Sequence, residues 1–357
     1  MHGRITFAKS STFSRVLKSR VESYFSENHI SPLADWRMYT KIVFALSLMI
    51  IGYISLVFID LTIWEALIAL IIFIQWSVIL MFNAMHDGGH GAYSKKSWIN
   101  TLMVSSLDLV GGSSYLWKQQ HNLNHHTFTN IHGKDTDIES SGILRFSPEQ
   151  PWKWWHRYQY IFGPISYAFL TLMWFFTDFS RMFEGEINGN KFPKRKIRTW
   201  SYFFITKIAY LIVAIIIPLY FYNIGVVLGF FVLYHLIFGF TMTMVFSLAH
   251  VSDTLEFPAS DEKWVMPYEY IEHELRTTRD FAPSSSLATW YMWGLNYQVV
   301  HHLFPHVSHV HYPALQKIIE STCREYDMPY HCSPSVWSAI QGHYRQLWNM
   351  SKKPKIL

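Results

Sequence analysis

Apolar positions along the chain gather into four long runs separated by polar segments. Residues 42–59 carry no charge over about 18 positions, close to the apolar thickness of a bilayer. A short Asp60-Leu61-Thr62 connection leads into a second run, 61–82, interrupted only by Glu65 near its start. Residues 203–222 and 224–249 form a third and a fourth run, divided by Asn223. Four such runs in two hairpins predict an all-α integral membrane protein whose interfacial helices and polar helical cap carry the remainder.

The intervening segments are less regular. Residues 98–117 are apolar but polar-spotted and broken by glycine, which predicts a half-inserted or surface helix. Trp152 to Trp155 suit the membrane–water boundary, where an indole keeps its N–H wet. In residues 11–25, Phe13, Val16, Leu17, Val21 and Phe25 recur at helical spacing between basic residues. That pattern predicts a short helix on the membrane surface; an amphipathic helix packed on protein fits as well. The chain divides into an N-terminal segment 1–38, a central domain 39–330 holding the spans, and a C-terminal helix and tail 331–357. Within the polar remainder a helix is predicted over Tyr312–Tyr326. A last one runs to Asn349, with Ser333 as its N-cap and Pro334 at its first position.

Composition sharpens this picture. Half the residues are hydrophobic and 15% charged, with 15 Trp and 27 Phe, as expected of membrane-embedded helices. The net charge of +5 is not concentrated in one aromatic-interleaved run, so a nucleic-acid partner is excluded. Lys18, Arg20, Arg37 and Lys41 precede the first run, and Lys191, Lys194, Arg195, Lys196 and Arg198 the third. The opposite turns hold Asp60 and Asn223. Basic residues mark the cytoplasmic side. Cys323 and Cys332 form no Cys-x-x-Cys pair and read as free thiols. The first 38 residues contain no signal-peptide core.

Histidines cluster where these runs end: His86-Asp-Gly-Gly-His90, His121-Asn-Leu-Asn-His125-His126, His250, and Gln298-Val-Val-His301-His302. Three- and four-residue steps return side chains to one helix face. Neutral imidazole ligates iron, copper, zinc and nickel, and this number of rings exceeds one tetrahedral zinc. Two metal ions are the smaller assumption. For all clusters to face one side, residues 161–179, with Gly163, Pro164 and Asp178, must lie in the interface rather than cross. No glutamate precedes a histidine by three positions, which excludes the soluble di-iron bundle motif. His273-Glu274 begins a zincin-like string, but Thr277 stands where histidine is required. A membrane haem needs facing histidines within the spans, and only His235 lies there. It sits about 22 Å along its helix from His250 at 1.5 Å per residue, and reads as a satisfied polar group or a substrate-path residue.

These boxes together resemble the membrane fatty acid desaturases, and Gln298 opening the third resembles the front-end (delta-5/delta-6, linoleoyl-CoA desaturase-like) acyl branch. The resemblance implies four transmembrane helices in two hairpins under a cytosolic cap holding two Fe ions. The implied ligands are His86, His90, His121, His125, His126, His250, His301 and His302. Gln298 replaces a histidine, and either ligates through its oxygen or sits outside the ligand shell. Asp87, Asp135, Asp137 and Asp280 are candidates for hydrogen bonds to ring N–H groups. His132, His273, His306, His309 and His311 are assigned outer or structural roles. Gly88 and Gly89 would permit close backbone packing or simply end a helix. Tyr115, Trp117, Trp290 and Trp293 are possible walls of an acyl channel.

The implied reaction introduces a cis double bond into an acyl-CoA or acyl-lipid chain with O2 and two electrons, because an unactivated methylene offers nothing to an acid or base. A hydroxylase of the same superfamily is the alternative. A non-enzymatic metal-binding or transport protein would instead place ligands near the bilayer midplane, where the runs offer only Glu65 and His235. No His-Pro-Gly-Gly string marks a fused cytochrome b5, so ferredoxin or free cytochrome b5 is the expected donor. Lys95, Lys96, Lys153, Arg157, Lys194, Arg195 and Lys196 could dock it, or face anionic lipid.

Overall fold

The computed structural model describes residues 5–354. Its helices in chain order are α1 (Thr12–Glu27), α2 (Trp36–Phe58), α3 (Ile63–His90), α4 (Ser97–Val104), α5 (Ser114–Lys118), α6 (Gln159–Tyr167), α7 (Leu170–Glu184), α8 (Ile197–Tyr220), α9 (Ile224–His250), α10 (Tyr270–Thr277), α11 (Ser286–Met292), α12 (Gln298–Leu303), α13 (Tyr312–Glu325) and α14 (Val336–Ser351). Strands are confined to short pairs such as Thr6–Ala8 with Val265–Glu269 and Asp280–Phe281 with Cys332–Ser333. The chain separates into two compact units. One comprises residues 34–122 and 164–244; the other comprises residues up to Leu33, 123–163 and 245 onward.

The first unit contains the spans. Helices α2, α3, α8 and α9 are long and apolar enough to cross a membrane. They start earlier or end later than the apolar runs because caps lie beyond the apolar stretch. Asp35 accepts from the Arg37 N–H at 2.9 Å and opens α2 six residues before Ile42. Thr62 and Glu65 form a capping box on α3, with the Thr62 N–H 2.8 Å from the Glu65 carboxylate. Glu65 therefore starts the span rather than interrupting it. Residues 98–117 are broken as expected into α4, a 3₁₀ turn over Ser105–Val110, and α5.

The single interfacial helix expected over 161–179 is instead two helices, α6 and α7, bent by 81°. The freed carbonyls explain how the break is tolerated. Thr243 donates to the Tyr167 carbonyl at 3.2 Å, and Gly239 lacks the Cβ that would stand 2.7 Å from the Ala168 oxygen. A buried ion pair between α8 and α7 has no counterpart in the sequence reading. Lys207 donates to Asp178 at 2.7 Å and to the Gly111 carbonyl at 2.6 Å. Asp108 accepts from Ser114 and from the Tyr202 hydroxyl, both at 2.7 Å. His235 is a satisfied polar group: its Nε2 lies 2.7 Å from the Tyr210 hydroxyl and its Nδ1 3.0 Å from Thr171 Oγ1.

The second unit is built on a core in which Phe13, Leu17 and Val21 of α1 pack with Ile271, Leu275, Leu315, Ile319 and Cys323. The apolar stripe of α1 is thus covered by protein rather than lipid, which settles the two readings of that pattern. The predicted start of the last helix is also corrected. Ser333 pairs in a parallel strand with Phe281, and the Ala282 N–H donates to its carbonyl at 2.8 Å. With that backbone committed, Ser335 becomes the N-cap of α14, in a capping box with Ser338. Cys323 is buried, Cys332 exposed, and both are free thiols.

Candidate metal centre

Within the span-bearing unit the site is made at the end of α3. A π-helical stretch, Met81–Met85, is followed by one α-turn, His86–His90, which ends on Gly91 at φ 75°. Both glycines of that turn are required by close approach. A Cβ on Gly88 would stand 2.5 Å from Met103 Cβ and 2.8 Å from the Val104 nitrogen; one on Gly89 would meet the Trp117 ring at 2.3 Å. Trp117 in turn stacks on His121, with centroids 4.4 Å apart and planes inclined by 23°. His121 belongs to a π-helical segment, Gln119–His125, where an α-turn was expected. Ring nitrogens of the buried His86, His90 and His121 all lie within 4.8 Å of one another. The Nε2 atoms of His86 and His121 are 3.2 Å apart, a spacing that requires a proton or a cation between the two lone pairs.

In the second unit, His125, His250 and His302 bring ring nitrogens within 4.8 Å of one another, and so do His126, His301 and His302. His126 and His302 stack, with centroids 4.3 Å apart. Behind the rings stand hydrogen-bonding partners. His125 Nδ1 lies 3.0 Å from Asp135 and 3.6 Å from Asp137; His302 Nδ1 lies 2.8 Å from Glu274; His301 Nδ1 lies 3.1 Å from the Tyr312 hydroxyl. Asp135 also accepts from the Asn130 N–H at 2.8 Å, and Glu274 from the Thr129 hydroxyl at 3.0 Å. Asn130 Nδ2 donates to the His250 carbonyl at 2.9 Å, joining α9 to the segment that carries His125.

Burial pulls the His125 pKa down, but Asp135 and Asp137 outweigh it and lift the ring to about 9. Burial holds Glu274 well above the ordinary carboxylate range, against the opposing pull of Thr129 and His125. The pocket therefore gathers imidazole nitrogens at its centre and sets the acidic side chains Asp135, Asp137 and Glu274 behind them. That donor chemistry fits a late first-row metal ion.

Asp135 stands where the sequence placed it, within hydrogen-bond reach of an imidazole, whereas Asp137 lies beside the same ring at 3.6 Å, beyond that reach. Asp87 is 3.9 Å from His86 Nδ1, beyond hydrogen-bond reach. Asp280 is a correction: it accepts from the Val299 N–H at 2.8 Å and from the Tyr330 hydroxyl at 2.5 Å, not from a ring. It anchors the backbone of α12 two residues before His301. Gln298 is buried and its amide nitrogen donates to the Leu295 carbonyl at 2.9 Å, which leaves the oxygen as the atom with ligand chemistry. His273 accepts the structural role expected of it, 2.8 Å from the Thr129 carbonyl; His132 pairs with Glu139 at 2.6 Å and His306 is exposed. His309 packs near Trp293 and His311 near Phe25. Tyr115 packs against Phe192 and Trp290 beside Trp293. Glu274, Thr129 and Tyr312 were missed. The only signal for Glu274 was its place beside His273, in a string that fails as a zinc motif.

A helical membrane protein with clustered, carboxylate-backed histidines defines a class, and comparison with known proteins gives the family. Residues 61–334 match the fatty acid desaturase family, and the chain belongs to it. It is 34% identical over 355 residues to an sn-1 linoleoyl-lipid 6-desaturase of Arthrospira platensis, covering 99% of this chain and 96% of that protein. It is 33% identical to an sn-1 linoleoyl-lipid 6-desaturase of Synechocystis, covering 98% of each chain. To an acyl-lipid (8-3)-desaturase of Physcomitrium patens it is 35% identical, covering 95% of this chain and 72% of that one.

Proposed function

We propose that this chain is a front-end acyl-lipid desaturase that introduces a cis double bond using two iron ions, dioxygen and two electrons. The observation that carries the reading is the convergence of buried imidazole nitrogens within 4.8 Å, backed by Asp135 and Glu274. His86, His90 and His121 would hold one iron. His125, His126, His250, His301 and His302 would hold the other, with Gln298 offering its amide oxygen. When bound, the irons would activate dioxygen, the oxidant that with two electrons and two protons from the donor chain removes two hydrogens from adjacent methylenes and leaves as water.

The remaining work belongs to this chain's own groups. Asp135 and Glu274 accept hydrogen bonds from the Nδ1–H groups of His125 and His302, which fixes the tautomer and leaves the Nε2 lone pairs for a metal. Asp280 and Tyr312 hold the α12 backbone and the His301 ring in place. Names of the relatives support a lipid-linked acyl substrate over a CoA ester. The desaturase domain spans residues 39–330. Its four spans form two hairpins, with the histidines on the cytoplasmic side, by the asymmetry of Lys and Arg. The proposed donor is a ferredoxin or cytochrome b5 approaching the basic face around Lys194 and Arg195.

The test is reconstitution with iron, a reductant chain and linoleoyl lipid, followed by mass spectrometry of the acyl products. A product lighter by two hydrogens supports the reading. A product that gains an oxygen makes the protein a hydroxylase, and no substrate-dependent oxygen uptake rejects both.

A further inference from the structure

The amphipathic helix α1, which the sequence left between the membrane surface and a protein contact, is covered by protein, whereas the C-terminal helix leaves its aromatics uncovered. In α14, Trp337, Tyr344 and Trp348 are exposed, at 67%, 40% and 48% of their surface. Their spacing of seven and four residues sets them on one stripe of the helix. The opposite face, including Ala339, Gly342, His343 and Leu347, is buried in the unit's interior. Alongside runs the segment that leads into α6. There Trp154, Tyr158 and Ile161 are exposed, again at helical spacing.

The two stripes are joined physically. Tyr160 packs edge-on against Trp348 with centroids 4.7 Å apart, Gln159 donates to the Leu347 carbonyl at 3.0 Å, and Trp152 Nε1 donates to the Ser351 carbonyl at 2.9 Å. Cations flank the aromatics: Lys352 lies over Trp348 at 5.7 Å, Lys353 over Trp152 at 6.0 Å, and Lys153 over Trp155 at 5.0 Å. Arg345 is engaged by Asp253 at 2.5 Å.

We propose that this joined aromatic face, α14 with residues 154–161, is embedded in the headgroup–acyl boundary of the bilayer and anchors the second unit to it. Three features select lipid over a protein partner. Indole and phenol rings are favoured where one edge is apolar and the other wet. Lysines beside them meet the negative charge of anionic headgroups. The face is also continuous in chain with α6 and α7, which together are apolar enough to enter a membrane. The assignment is independent of the metal chemistry.

Spin labelling of the full chain in phosphatidylcholine–phosphatidylglycerol nanodiscs tests it. Single cysteines replace Trp337, Tyr344 or Trp348 in a Cys332→Ser background, Cys323 being buried; Arg345→Cys and Asn349→Cys report the neighbouring angles on the helix. Labels at 337, 344 and 348 are expected to collide more often with oxygen than with a water-soluble nickel chelate, and those at 345 and 349 to reverse the order. If the labels at 337 and 348 favour the nickel chelate, the helix lies in water. If they are shielded from both, another protein surface covers it. Either result overturns the proposal.

Discussion

On the proposed reading, Asp135 and Glu274 decide which nitrogen of His125 and of His302 would face a metal, so their removal should be read in metal affinity before activity. Glu274→Gln keeps the volume but places an amide where the His302 ring meets a carboxyl group at 2.8 Å. Loss of such a partner costs roughly 10- to 100-fold in metal affinity, and iron titration of the purified protein measures it. Asp280 works differently. Burial raises its pKa to about 7, against the hydrogen bonds from Tyr330 and Val299. The folded protein then keeps a proton that the unfolded chain releases near the ordinary aspartate value. Folded stability accordingly falls as pH rises from about 4 towards 7 through this group, and levels off above it. Asp280→Asn should flatten that part of the stability profile, as read by thermal unfolding at pH 5 and pH 7.5. Of these residues the sequence disclosed the histidines and Asp135, because spacing and proximity in the chain are visible there. Glu274 was hidden: its partner His302 is 28 positions away, and only tertiary packing joins them.

At the scale of elements, helices are shaped by what must pass close to them. The turn His86–His90 carries two glycines because α4 and Trp117 occupy the space of their Cβ atoms. If the two groups hold iron as proposed, Gly89→Ala should displace Trp117 from His121 and lower iron content at the His86–His90–His121 group, while the His125–His250–His302 group keeps its metal. Metal stoichiometry, together with Mössbauer spectra of the iron-loaded protein, separates these outcomes. Leu17 of α1 makes the complementary point. It is fully buried in the second unit's core, so Leu17→Ala should destabilise the protein by about 2–5 kcal/mol, seen as a lowered unfolding midpoint. A helix resting on lipid would lose far less. Helical periodicity told where α1 runs but not what covers it, since lipid and protein cores select the same residues. The bend between α6 and α7 was illegible for a related reason: the residues that make it tolerable, Gly239 and Thr243, lie on a distant part of the chain.

Considered whole, the molecule inverts the usual distribution in its span-bearing unit: isoleucines such as Ile50, Ile54, Ile68 and Ile71 face outward, while a lysine is buried inside. Hydropathy found the four spans because lipid as solvent demands apolar exteriors and satisfied backbones. It passed over Lys207, since one charge barely alters the average of a long apolar run. Yet that charge is the costly feature of the unit, as a cation in apolar surroundings persists only when paired. Here Asp178 supplies the countercharge, the Gly111 carbonyl a second acceptor, and Phe175 a ring face 4.8 Å away. Lys207→Met would leave Asp178 buried without its countercharge, at a cost of about 3–5 kcal/mol. Replacing both, Lys207→Met with Asp178→Leu, removes the stranded group and should recover most of the loss. A double-mutant cycle on the unfolding midpoint in detergent distinguishes this from simple packing loss. Additive effects would mean the two groups do not stabilise each other, whereas recovery in the double variant identifies the pair as one unit whose desolvation is tolerated only jointly.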